Sequence, residues 1–182
     1  MQDKIICLVG PSGSGKTTVA YGLSELGYNV ISSYTTRPPR YEGEDGHIFV
    51  DEDEFLRQSA LNRFDFGQEI IAYSNYNGNR YWATREQYRN KGLSVYVVDV
   101  AGVNMLKTTV NDAEILVFAV WADEKIRVNR MLNRIDTTTN NVSERLHYDK
   151  VGFFCIPCDY FIQNNRPMEE VVSTIDQIVR GD

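Results

Sequence analysis

The apolar run IICLV at 5–9 breaks directly into GPSGSGKT at 10–17, and a segment with helical character follows near 16–26. A buried strand that turns through glycines into a helix leaves the turn few conformations. Gly10, Gly13 and Gly15 can adopt backbone angles closed to residues with a Cβ, so successive N–H groups, those of Ser12, Ser14 and Thr18 among them, can turn inward around an anion. The dipole at the helix start favours that anion further. Lys16 offers a mobile point charge suited to the β and γ phosphates of ATP, and the hydroxyl of Thr17 is the magnesium ligand expected of such a loop.

Further apolar runs of strand length occur at 29–33 (NVISS), 95–100 (VYVVDV), 114–120 (EILVFAV) and 159–162 (DYFI). Their apolarity is continuous, as in strands covered on both faces. Helix-like segments near 101–108, 123–134, 142–153 and 167–180 alternate with them. The fold class expected is α/β: a mostly parallel phosphate-loop sheet sandwiched by helices. At 182 residues one domain is expected, with its core in 1–33, 93–134 and 145–182. Residues 34–92, rich in Tyr, Arg, Gly and Asn, read as an inserted acceptor-binding subdomain, and the polar stretch at about 135–144 as a mobile helical lid.

A net charge of −6 argues against a nucleic-acid polymer as partner, because replacing condensed counterions needs an excess of Lys and Arg. No apolar run approaches the roughly 20 residues of a membrane span. The amino terminus carries no signal peptide, so a cytoplasmic protein is expected. Three cysteines, Cys7, Cys155 and Cys158, suggest no disulfide framework. The CxxC of Cys155 and Cys158 lacks the second pair a zinc site needs and reads as two partly buried residues ahead of a strand.

Asp99, at the carboxyl end of VYVVDV, is the acidic partner expected for magnesium beside Thr17, since ligands of parallel sheets gather at strand ends. The alternative is a cap on the following helix. Arg37 and Arg40 flank two prolines in SSYTTRPPR and are thereby held in place. Two fixed guanidinium forks suit a phosphate better than lysines would. Arg130 and Arg134 lie four apart on one helix face.

GPSGSGKT, SSYTTRPPR with GEDGHIFV, GNRYWAT, VVDVAGV and the arginines at 130, 134 and 145 together resemble the guanylate kinase family of nucleoside monophosphate kinases, over nearly the whole chain. The resemblance implies that Arg37, Arg40 and Tyr81 hold the acceptor phosphate and that Ser33 reads the base. It implies that Arg130, Arg134 and Arg145 close over the transferred phosphoryl group and that Asn164 lies near the adenine of ATP. Asp99 corresponds to the second aspartate of the family's DxDxxG, with Val97 in place of the first, and is expected among the acceptor-binding residues as well as at the metal.

The departures fall on acceptor recognition. His47 stands where the family has tyrosine, and its charge would vary near neutral pH. Ala72 stands where the family places its guanine-reading glutamate; Glu69 would take over only through a rearrangement such as a bulge in YSNYNGN. Ala83 replaces a small hydroxyl residue, with Thr84 adjacent, and Trp82 replaces glycine. The activity implied is transfer of the γ phosphoryl group of ATP, with Mg2+, to a nucleotide acceptor, GMP or dGMP. The alternatives are another nucleotide or a sugar phosphate such as ribose 1,5-bisphosphate, and a non-catalytic guanylate-kinase-like binding module.

Overall fold

A computed structural model describes residues 2–61, 69–133, 139–153 and 155–181. Its elements run β1 (Asp3–Val9), α1 (Lys16–Glu25), β2 (Asn29–Ile31), β3 (Ser33–Thr35), β4 (His47–Phe49), α2 (Glu52–Leu61), β5 (Ile70–Tyr76), β6 (Asn79–Thr84), β7 (Leu93–Val97), α3 (Val100–Thr109), β8 (Ala113–Trp121), α4 (Glu124–Leu132), α5 (Thr139–Gly152), β9 (Tyr160–Gln163) and α6 (Met168–Arg180). A 3-10 turn at Arg85–Gln87 follows β6.

Ile5 to Val9 are fully buried, as expected of a strand without alternation. β1 is therefore the middle of a five-stranded sheet of order β2-β7-β1-β8-β9, in which every pairing is parallel. On one face Ile6, Leu8, Phe118 and Val120 pack against Val19 and Leu23 of α1 and Val171 and Ile175 of α6. On the other, Ile5, Cys7, Tyr96 and Val98 pack against Val103 and Leu106 of α3. The α/β sandwich read from the sequence is the fold observed.

The run NVISS divides between two sheets. β2 pairs with β7, whereas β3 begins a second sheet of order β4-β3-β6-β5. At the division the Ser32 carbonyl accepts a 2.6 Å hydrogen bond from Gln87 Nε2, which satisfies a backbone group the break would strand. α3 lies between the two sheets, with Ile71, Ala72 and Ala83 of the second joining its core.

α2 is an element the sequence reading missed. Its signal was present in DEDEF: the Asp51 carboxylate accepts from Glu54 N–H at 2.9 Å, and three acidic residues fill the first turn. Phe55 then packs edge-on against Trp82 at 4.9 Å, closing one face of the second sheet. The segment 135–144 is helical from Thr139 onward as the start of α5, and 134–138 lie outside the described residues. Cys155 and Cys158, expected to be partly buried, are exposed and carry free thiols, because the chain ahead of β9 runs over the surface. No described helix is long and apolar enough to cross a membrane.

Arg85 fastens the second sheet to the first. Fully buried, it donates through Nε to Glu69 at 2.7 Å, through Nη1 to Asp112 at 2.5 Å and Tyr88 at 2.7 Å, and through Nη2 to the Thr109 carbonyl at 3.0 Å. Arg85→Met removes the guanidinium that joins these two carboxylates and leaves the Thr109 carbonyl without that donor. Glu69 and Asp112 retain partial access to water, which reduces the penalty. The expected loss is about 2 to 3 kcal/mol of unfolding free energy in urea titration; a loss under about 0.5 kcal/mol, the scale of ordinary surface substitutions, would mean the cluster is no anchor.

Candidate active site

The phosphate loop leaves the carboxyl end of β1 with Gly10, Gly13 and Gly15 at φ of +154°, +76° and +94°. Two of these glycines are also required by space. A Cβ on Gly10 would lie 2.1 Å from the Val120 carbonyl oxygen, and one on Gly15 would lie 2.3 Å from Asn164 Nδ2. That asparagine donates to the Ser14 carbonyl at 2.7 Å. Lys16 folds back over the loop, donating from Nζ to the Gly10 carbonyl at 2.7 Å and the Pro11 carbonyl at 3.0 Å. Its charge is thereby held at the mouth of the loop. Thr17 and Thr18 are exposed at the start of α1. Ser14 Oγ is buried with no hydrogen-bond partner among the described residues.

Beside the loop lies a cavity of about 350 Å³, lined in part by Gly13, Gly15, Thr18, Arg130, Asn164 and Arg166. Arg130 reaches it from α4 and donates to the Asn164 carbonyl at 3.1 Å. Its Nη1 lies 3.5 and 3.4 Å from the Gly13 and Ser14 carbonyls. Arg145, half-buried, is on α5, while Arg134 lies outside the described residues.

Asp99 begins α3 in the manner of the alternative raised for it: Oδ1 accepts from Gly102 N–H at 2.8 Å. Its Oδ2 makes no hydrogen bond among the described residues, so capping and metal binding are compatible. Among the described residues no cluster of three or more His, Cys, Asp or Glu side chains assembles. A magnesium ion held by one or two protein oxygens and by substrate phosphates needs none. The exposed Thr17 hydroxyl and the second Asp99 oxygen suit such an ion.

Across the carboxyl edge of the sheet a cleft of about 760 Å³ opens, lined in part by Thr17, Tyr21, Ser33, Arg40, Glu44 and His47. Arg37 and Arg40 converge there on one carboxylate. Arg37 Nη2 donates to Glu44 Oε1 at 2.7 Å and Nη1 to Oε2 at 3.1 Å, while Arg40 N–H donates to Oε2 at 2.6 Å. Hydrogen bonding from Arg37, with further help from Arg40, holds the Glu44 carboxyl at a pKa of about 2. Tyr81 lies opposite Thr35, and its ring meets His47 edge-on at 5.6 Å. Burial, reinforced by the charge of Arg37, lowers the pKa of His47. Both influences favour the neutral imidazole over the charged form.

At the far end of the same sheet face Ala72 and Ala83 are paired across β5 and β6, both buried. Ser33 Oγ and Tyr96 Oη share a buried hydrogen bond of 2.9 Å close by. Two expected base readers are elsewhere. Glu69 is spent on Arg85, and the irregularity in β5 falls between Ile70 and Ala72, ahead of YSNYNGN, so it does not turn Glu69 toward the cleft. Thr84 lies two residues beyond Trp82 and shares its face, opposite the one that carries Tyr81 and Ala83. This end carries hydroxyl groups and methyls, with the Asp99 carboxylate beside it: a Cβ on Gly102 would lie 3.3 Å from Asp99 Oδ1 and 3.6 Å from the Ala72 methyl.

Three residues of this region were not singled out from the sequence: Tyr96, Arg127 and Asp149. The Asp149 carboxylate accepts from Ser12 N–H, with Oδ2 at 3.0 Å, and from the Ser12 hydroxyl at 3.3 Å. It also accepts from Arg127 Nη2, and Arg127 Nε donates to the Ser12 carbonyl at 2.8 Å. Spacing held a clue, since Arg127 is three residues before Arg130 and Asp149 four after Arg145, on the same helix faces.

Comparison with known proteins follows the same lines. The family model described as guanylate kinase matches residues 2–181. Guanylate kinase of Thermotoga maritima is 29% identical over all of this chain and 88% of its own length. Guanylate kinase of Anaplasma phagocytophilum is 32% identical over 98% of this chain and 86% of its own. The crystal structure of the Anaplasma enzyme superposes with a TM-score of 0.65 and 23% identity, over 99% of this chain and 86% of that one, a likeness of fold.

Proposed function

The chain belongs to the guanylate kinase family, and from that premise we propose that it transfers the γ phosphoryl group of ATP to a phosphate oxygen of GMP or dGMP, giving ADP and the nucleoside diphosphate. The observation that carries the reading is the pairing of a glycine-framed phosphate loop with a clamp of two arginines already closed on a carboxylate. Glu44 stands in for an anionic phosphate at the position the acceptor would approach.

Phosphoryl transfer asks chiefly for positioning and for positive charge around the developing equatorial oxygens. In this reading the loop N–H groups and Lys16 bind the donor phosphates, and Asn164 lies beside the adenine. Arg37, Arg40 and Tyr81 orient the acceptor phosphate, His47 donates to it as a neutral imidazole, and Ser33 meets the base. Arg130 and Arg145, with Arg134, offset charge on the moving group. Magnesium, held by Thr17 and Asp99, would neutralise charge on the donor phosphates. Residues 34–92 serve as the acceptor subdomain and about 135–144 as the lid, whose closure excludes water and so suppresses ATP hydrolysis. The enzyme would act in the cytoplasm on free nucleotides.

The test is ADP formation from Mg·ATP with GMP, dGMP, AMP, CMP, UMP and ribose 1,5-bisphosphate, each against an acceptor-free blank. Turnover with GMP or dGMP at least tenfold above every other acceptor is the expected result. Preference for an acceptor without guanine would overturn the substrate assignment and leave the phosphotransferase standing.

A further inference from the structure

Ser12 is held at every polar backbone atom and at its hydroxyl by two side chains that arrive from separate helices. Asp149 of α5 takes the N–H and the hydroxyl, and Arg127 of α4 takes the carbonyl. Both side chains are buried, at 5% and 4% exposure, and are paired with each other. Removing an ion pair from water is costly, and here each ion also satisfies a backbone group of the phosphate loop. Such a constellation fixes the loop relative to the two helices more sharply than packing alone would.

α5 carries a second residue of the site and a further contact. Arg145, four residues before Asp149, lies on the same helix face about one turn away. Tyr148 meets Tyr76 of the second sheet edge-on at 5.0 Å. One helix thus touches the donor loop through Asp149 and the acceptor subdomain through Tyr148, with Arg145 about one turn N-terminal to both.

We infer that Asp149 is a positioning residue for phosphoryl transfer: clasped with Arg127 around Ser12, it seats α5 on the phosphate loop and so sets Arg145 against the group in transit. The inference rests on the phosphotransferase reading for its kinetic consequence, while the seating itself is independent of it.

Asp149→Asn keeps the size and one acceptor oxygen but removes the charge that holds Arg127. A misplacement on the order of 1 Å can cost up to about 100-fold in rate. The expected result is kcat lowered about tenfold with KM for the acceptor within about twofold of wild type. Because the loss runs through Arg145, Asp149→Asn added to Arg145→Ala should leave kcat where Arg145→Ala alone puts it. Arg127→Lys, which cannot hold both the carboxylate and the Ser12 carbonyl in one fork, should reproduce the loss should the Asn variant fold poorly. Hydrogen exchange gives a readout that needs no turnover: amides of 142–150 should exchange at least about fivefold faster in Asp149→Asn, with β1 and β8 unchanged. Unchanged exchange in α5 would overturn the seating. Losses that multiply in the double variant, or an Asp149→Asn kcat within twofold of wild type, would overturn the link to Arg145. A wild-type enzyme inactive with every acceptor would instead count against the phosphotransferase reading, with the exchange result still deciding the seating.

Discussion

Lys16→Ala is expected to lower kcat by about 1,000-fold or more while leaving the fold intact. Lys16 is the first residue of α1, a position where alanine is at least as good a helix former, so no structural loss is expected. What disappears is the ammonium group now held 2.7 and 3.0 Å from the Gly10 and Pro11 carbonyls at the mouth of the loop. The N–H groups that remain can still bind an anion, so affinity for ADP should fall less than turnover. Loss of a single preorganised donor to a transition-state oxyanion costs about 100- to 1,000-fold elsewhere, and a full charge at the transferred group costs more. Lys16→Arg should not restore the rate, because a planar fork cannot occupy the place of a compact ammonium. The check is steady-state ADP formation beside far-ultraviolet circular dichroism. A folded variant within tenfold of wild type would remove the phosphotransferase assignment, since among the described residues no other side chain brings a cation to the Gly10 and Pro11 carbonyls.

The phosphate loop was legible in the sequence because its main demands are local: the glycines, the lysine and the strand before them are contiguous, and Gly10, Gly13 and Gly15 all take positive φ. The close approach of Val120 to Gly10 and of Asn164 to Gly15, by contrast, is a distant demand that the loop sequence does not show. The burial of the central strands on both faces followed from continuous apolarity for the same reason, whereas the strand order became visible only in the structure. What misled was the reading of faces. Tyr81 and Thr84 are three positions apart on β6, an odd offset, so one faces the cleft only if the other does not. Glu69 was misassigned for a different cause: its partner Arg85 belongs to the next strand's end, and nothing in the local pattern predicts that pairing. The Asp149 to Ser12 contact spans 137 residues and arises only once the sheet has brought α4 and α5 to the loop. Composition is blind to such contacts, whereas helix-face spacing to a known arginine gives a partial guide.

Arg37→Ala is expected to cut kcat/KM for the acceptor by about 100-fold or more and to leave KM for ATP within about twofold. Two anions must approach for the reaction to occur, and Arg37 is the fork that presents two N–H donors to the acceptor side, as it now does to Glu44 at 2.7 and 3.1 Å. Its removal takes away that attraction and also leaves the Glu44 carboxylate facing the incoming phosphate. Arg37→Ala with Glu44→Gln should therefore recover part of the loss, a coupling that a purely structural role for Arg37 does not predict. The same pair has an acid signature. The Glu44 carboxyl is held from its ordinary 4.5 down to about 2, first by hydrogen bonding from Arg37. A depressed carboxyl pKa contributes stability that is fully present above the ordinary value and is lost as pH falls toward the folded one. Wild type should then lose more stability than Arg37→Ala between about pH 5 and pH 2, so their melting temperatures should converge on acidification. A constant gap across that range would place the Glu44 shift with other partners, and an unchanged acceptor kcat/KM would remove Arg37 from the clamp.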